Sequence, residues 1–243
     1  MGIRVLVTDV DGVLTDSKGR LDLRAISLLR TLEEKGISVI LASGASLPTL
    51  LSLRRYLGTS GPVIAENGGV IYINGMVEVL AKRDPVLEAW SELRNVLRDL
   101  VIESATSFAR LTDVVFRPRS KSLVDYVLLR SRSVLEKYPD LELVYSGFSF
   151  HLKPRSTSKY RALLLVLERL GLHLDDVLAV GDSEVDLEML RYSPYSGVPA
   201  HAPECVKSVA KYVSQHPYAM GFIDVVLHYL GKELAPSSPT FSP

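Results

Sequence analysis

Apolar runs and helix-period segments alternate along the first third of the chain. Residues 3–7 read as a buried strand that runs into Thr8, Asp9, Val10, Asp11 and Gly12. Leu21, Ala25, Leu28, Leu29 and Leu32 then recur at helical spacing, and Lys35-Gly36 supplies a helix stop. A second apolar strand at 37–41 leads into Ala42-Ser43-Gly44 and a helix over 48–57. A third, at 63–65, ends at Glu66-Asn67-Gly68-Gly69. Strands alternating with helices in this way imply right-handed parallel crossovers and a doubly wound α/β sheet covered on both faces. Ligands of such sheets gather beyond the carboxyl ends of the strands, where all three polar clusters fall.

The texture then changes. Two short strands, 70–73 and 77–80, flank Asn74-Gly75, a dipeptide suited to a type I′ hairpin turn. A helix is predicted over 85–100, a strand at 113–116, a helix over 121–138 and paired strands at 141–145 and 149–152. The parallel pattern returns with a helix over 159–170 and a strand at 177–180. Gly181-Asp182-Ser183-Glu184-Val185-Asp186 and a further helix follow. Short strands near 196–198 and 212–213 alternate with helices to about Leu230. The expected organisation is a discontinuous α/β core over 1–81 and 154–233, an inserted smaller α+β module over 82–153, and an aperiodic, disordered tail over 234–243.

Composition narrows the class. At 243 residues, 47% hydrophobic and 23% charged, the chain is an ordinary globular protein. Its 28 basic residues balance 28 acidic ones, which argues against a nucleic-acid partner. No apolar run approaches the ~18–20 residues that cross a bilayer, so no membrane partner is expected and the cytoplasm is the expected location. The single cysteine, Cys205, cannot form an intramolecular disulfide.

The acids carry the chemistry. Asp9 and Asp11 directly follow a strand, and strand alternation would send both side chains the same way. Two such carboxylates repel each other and lose solvation, which a cation between them relieves. Asp182 and Asp186 follow a different strand, so four carboxylates from distant segments are expected to converge on one hard ion. Oxygen donors without Cys or His favour Mg2+. An acid pair alone is ordinary loop chemistry; two pairs at one sheet edge are not. Ser43, the Gly44 turn and Lys159 complete a phosphate site of hydroxyl, free amides and point charge. Asn67 is a further candidate contact. In the inserted module His151 is the residue expected to read a substrate carboxylate. Trp90 is expected to pack, and His173, His201, His216 and His228 show no ligand spacing.

These motifs resemble the haloacid dehalogenase superfamily. The run from Val5 to Thr15, containing Asp9-Val10-Asp11-Gly12, looks like its nucleophile motif; Ser43, Lys159 and Gly181–Asp186 resemble the second, third and fourth motifs. A module between the second and third is similar to the Cof-like, type-IIB-capped branch. Ser43-Gly44-Ala45, the stretch from Gly61 to Gly69, and that from Tyr145 to Leu152 look like the archaeal-type phosphoglycolate phosphatases. Two positions depart from common patterns: Ala45 stands where many Cof-like members have Arg, and Val185 where the fourth motif often has Asn.

The resemblance implies a Rossmann-like core and a Mg2+-dependent phosphatase in which Asp9 attacks phosphorus and Asp11 acts as general acid and base. Asp9, Asp182 and the Val10 carbonyl would hold the metal, with Asp186 either a ligand through water or an orienter of Lys159. The expected substrate is a small phosphorylated metabolite, 2-phosphoglycolate first, acted on by a monomer or homodimer. Within the superfamily the alternatives are a sugar-phosphate or mannosyl-3-phosphoglycerate phosphatase, or a phosphomutase. Outside it, a phospho-accepting signalling module also gathers acids around Mg2+, but is about half this length and lacks an inserted cap.

Overall fold

The computed structural model describes residues 2–234, so the expected tail lies outside them apart from Leu234. The main sheet is built from β1 (Val5–Thr8), β2 (Ser38–Ala42), β3 (Val63–Ala65), β4 (Val70–Ile73), β5 (Met76–Val79), β10 (Val177–Val180), β11 (Tyr195–Val198) and β12 (Tyr212–Val213). Its order is β12-β11-β10-β1-β2-β3-β4-β5. The strands from β12 to β3 pair in parallel, whereas β3, β4 and β5 pair antiparallel. The predicted hairpin therefore extends the sheet as an antiparallel edge, its turn formed by Asn74 and Gly75 at φ 51° and 81°.

The helices α1 (Leu23–Glu34), α2 (Leu47–Leu57), α5 (Lys159–Leu170), α6 (Leu187–Tyr192), α7 (Glu204–Lys207) and α8 (Tyr218–Leu234) cover both faces. Successive residues of β1 point to opposite sides. Leu6 packs with Leu29, Leu32 and Phe222 in one buried cluster. Val5 and Val7 join Ala162, Leu163 and Val166 in the other. Burial on both faces explains why β1 reads as an unbroken apolar run. In register, Thr8 lies beside both Val180 and Leu41, so the segments after β1, β2 and β10 leave the sheet at one edge.

Between β5 and α5 the chain builds a second, antiparallel sheet. It comprises β6 (Val101–Glu103), β7 (Val114–Pro118), β8 (Leu141–Tyr145) and β9 (Phe150–Pro154) in the order β6-β7-β9-β8. Helices α3 (Asp84–Val96) and α4 (Val124–Leu135) share its core. Trp90 stacks on Phe116 at 4.7 Å, and Phe116 on Phe150 at 5.4 Å. Trp90 thus packs, as expected. Along β9, Phe150 and Leu152 enter this core while His151 takes the opposite face.

Two expectations need correction here. The helix predicted to Leu100 ends at Val96, and Val101–Glu103 is a strand the sequence reading lacks. Leu93, Leu97 and Val101 are all buried and four apart, so helical spacing continues past the point where the backbone leaves the helix. The helix over 121–138 is shorter, Val124–Leu135, preceded by a 3-10 turn at Lys121–Leu123. No helix among the described residues is long and apolar enough to cross a membrane.

Candidate active site

The loop after β1 sets the site. Asp9 N–H still bonds the Val180 carbonyl at 3.0 Å, but Val13 and Leu14 N–H then both donate to Val10 O, closing a tight turn. Strand alternation therefore stops at Asp9. Asp9 is buried, whereas Asp11 is exposed. Gly12 sits at φ 77°, and a Cβ there would lie 2.0 Å from Asp182 Oδ2, so glycine is what lets the β10 loop close on the β1 loop.

Carboxylate oxygens of Asp9, Asp182 and Asp186 all come within 4.8 Å of one another. The expected cluster of four acids is thus a cluster of three, because the turn at Val10 carries Asp11 out of it. Lys159, the first residue of α5 and fully buried, places Nζ 2.8 Å from Asp9 Oδ2 and 2.8 Å from Asp186 Oδ1. The other oxygen of Asp186 accepts from Asp182 N–H, Ser183 N–H and the Ser183 hydroxyl at 3.2, 3.1 and 3.0 Å. Both oxygens of Asp186 are therefore occupied, and its visible work is to hold Lys159 and the β10 loop.

Burial pushes the Asp9 carboxyl well above its usual range; Lys159 opposes this and the Asp186 and Asp182 charges reinforce it. Asp182 is raised as well, first by burial, against a hydrogen bond from His201. Burial alone would lower Lys159, but Asp186 and Asp9 outweigh it and keep the ammonium charged. Three acids against one lysine leave a surplus of negative charge and an all-oxygen donor set. That chemistry fits a hard divalent cation held by Asp9 and Asp182.

The loops after β2 and β3 form the opposite wall. Asn67 N–H donates to Ser43 O at 3.1 Å, and the Ser43 hydroxyl accepts from Ala45 N–H at 3.1 Å. Gly68, at φ 91°, abuts the Ser158 carbonyl so closely that any side chain would collide; this seats the β3 loop against the start of α5. Asn67 is 2% exposed, and among the described residues neither polar atom of its side chain has a hydrogen-bond partner.

The four-stranded module is tied to these loops. Glu66, fully buried at φ 53°, accepts from Leu111 N–H, Thr112 N–H and the Thr112 hydroxyl, the last two at 2.8 Å. Arg110 Nη2 donates to Gly44 O at 3.0 Å. Arg110 Nη1 also grips both oxygens of Asp113, at 2.7 and 2.9 Å, and Asp113 meets His151 Nδ1 at 3.2 Å.

One cleft of about 820 Å3 is lined by Asp9, Asp11, Ser43, Gly44, Asn67, His151, Lys159 and Asp182. The residues singled out from the sequence for the site line it except Asp186, which lies behind Lys159, and Val10, whose carbonyl accepts from the Val13 and Leu14 amides. Sequence reading missed Glu66, Arg110, Asp113 and His201. Glu66 stood inside a noted polar cluster; the other three carry no local signal.

A family model for haloacid dehalogenase-like hydrolases matches residues 6–105 and 134–226. The chain belongs to the haloacid dehalogenase-like hydrolases. It is an enzyme of that family, and its relatives match over nearly full length. A Methanospirillum hungatei phosphoglycolate phosphatase is 33% identical, with 96% of this chain and 99% of the relative covered. A phosphoglycolate phosphatase of Methanothermobacter thermautotrophicus is 32% identical over 94% of this chain and all of its own length. A solved structure from Thermoplasma acidophilum, 30% identical, superposes with a TM-score of 0.83 over 96% of this chain and 100% of its own. In this hydrolase the Asp-x-Asp loop, Ser43, Lys159 and the Gly181–Asp186 loop sit together at the carboxyl edge of the sheet, beneath the four-stranded cap.

Proposed function

We propose that this chain is a Mg2+-dependent phosphatase that hydrolyses 2-phosphoglycolate to glycolate and phosphate through an aspartyl-phosphate at Asp9. The observation that carries the reading is a buried Asp9, paired with Lys159 and flanked by Asp182, at the floor of a cleft roofed by the cap. Relatives named phosphoglycolate phosphatase over nearly the whole chain support the substrate.

A carboxylate oxygen of Asp9 attacks phosphorus in line, forming the acyl-phosphate bond as the ester P–O bond breaks. Asp11, at the open side of the cleft, gives a proton to the departing alkoxide. It then takes one from the water that cleaves the acyl phosphate, which returns Asp9. Lys159 and Ser43 hold the phosphoryl oxygens, and Asp186 keeps Lys159 aimed. Mg2+, when held by Asp9 and Asp182, neutralises charge between nucleophile and phosphate. The cap keeps bulk water out, while His151 and Asn67 face the leaving group.

A panel of phosphate monoesters assayed with Mg2+ tests the reading. The expected result is a preference for 2-phosphoglycolate, loss of phosphate release in EDTA and recovery on adding Mg2+. Preference for sugar phosphates or mannosyl-3-phosphoglycerate, or a bisphosphate-dependent isomerisation, would overturn the substrate. An aspartyl-phosphate that persists for hours would overturn hydrolysis in favour of signalling.

A further inference from the structure

Beside Asp182 lies a histidine that has no role in the mechanism above. His201 Nε2 lies 3.0 Å from Asp182 Oδ2, and His201 Nδ1 lies 3.1 Å from the backbone N–H of Tyr218. A backbone N–H can only donate, so Nδ1 must accept through its lone pair. The ring proton then sits on Nε2 and donates to Asp182. The imidazole is further clamped by stacking on the Tyr218 ring, with centroids 4.1 Å apart and planes 23° apart.

The element that supplies the clamp is strained. Tyr218, the first residue of α8, adopts φ 56°, a left-handed conformation that is unfavourable for a non-glycine residue. That conformation aims one amide at His201, while the next, Ala219 N–H, donates to Thr15 O at 3.1 Å. Thr15 in turn accepts from Gly12 N–H through its hydroxyl at 2.9 Å. Two consecutive amides at the start of α8 thus brace both acidic loops, one directly and one through His201. Among the described residues no donor meets Asp182 Oδ1, so the carboxylate is held by one oxygen and open at the other.

We infer that His201 is a positioning residue: locked in one tautomer by the Tyr218 amide, it fixes the Asp182 carboxylate in the pose that receives a divalent cation. This rests on the metal-dependent reading above. Partners of this kind orient a ligating carboxylate, and losing one weakens metal binding about 10–100-fold.

The test uses the full chain as wild type, His201→Phe and His201→Gln, each titrated with Mg2+ alone by calorimetry and melted in EDTA. Phe keeps a stacking ring without the donor; Gln keeps a donor near the Nε2 position. The expected result is an affinity loss of about 10–100-fold in the Phe variant. Gln should recover most of that loss, with kcat at saturating Mg2+ falling less than affinity. Unchanged Mg2+ affinity in the Phe variant, whatever its melting temperature, overturns the inference, as does equal loss in both variants. A wild type that binds no Mg2+ overturns the metal reading and this inference together. If wild type binds Mg2+ and the Phe variant does not, yet no phosphate ester is cleaved, the proposed function fails and the role of His201 stands.

Discussion

Two buried aspartates, one in each layer of the molecule, behave in opposite ways. Asp9 at the core edge has its carboxyl pushed well up, by burial first and then by neighbouring acids that Lys159 only partly offsets. Asp113 in the cap is buried just as deeply, and burial acts upward on it too. There the hydrogen bond to His151 and the charge of Arg110 win, and its carboxyl falls below the usual range. The difference lies in charge balance. The cap cluster sets one acid against an arginine and a histidine, whereas the core cluster sets three acids against one lysine and one histidine, His201. The cap network balances its buried acid and, through Arg110 and Gly44 O, ties the cap to the loop after β2. The core network is short of positive charge, the condition that a metal and a nucleophile require.

Exchanging acid for amide separates the two. Asp9→Asn should abolish phosphate release altogether, because the amide cannot form the acyl phosphate. Its effect on stability carries the opposite sign. A carboxyl raised in the folded state contributes stability that is present below its unfolded value and lost as pH rises through the folded one. At pH 7 in EDTA the Asn variant should therefore melt above the wild type. A lower melting temperature would remove the contrast with Asp113.

Asp113→Asn should destabilise. Its carboxyl is lowered on folding, so its contribution is present above the unfolded value and lost as pH falls through the folded one. Breaking the buried pair with Arg110 should cost about 3–5 kcal/mol at pH 7, read by chemical denaturation. Mg2+ binding at the core edge should survive.

The smallest effect isolates burial. Asp16 also pairs with an arginine, accepting from Arg20 Nε and Nη2 at 2.9 and 2.7 Å, but on the surface. The Arg20 hydrogen bonds draw its carboxyl down to about 2. Asp16→Asn should leave activity and the melting temperature at pH 7 close to wild type. Its contribution is present above about pH 4 and fades as pH falls toward 2, seen as a shallower acid limb in melting temperature.

The parts of the site that were legible in sequence are those attached to strand ends. Asp9, Ser43, Asn67 and Asp182 each follow an apolar run, and parallel strands in register carry such positions to one edge. Asp11 was misplaced because alternation holds only while the strand lasts, and the turn at Val10 ends it. β6 was hidden because Leu93, Leu97 and Val101 keep helical spacing across a change of backbone.

Pattern and motif alone determined the doubly wound sheet, its carboxyl edge, the aspartates of the two loops and the family they resemble. Period and burial are written residue by residue, so these survive without coordinates. Only the tertiary structure decided that Asp186 serves Lys159, that Glu66 and Arg110 fasten the cap to the catalytic loops, and that His201 holds Asp182. Each of those contacts joins residues far apart in the chain, and hydrogen bonding depends on distance and direction in space, which sequence spacing does not encode.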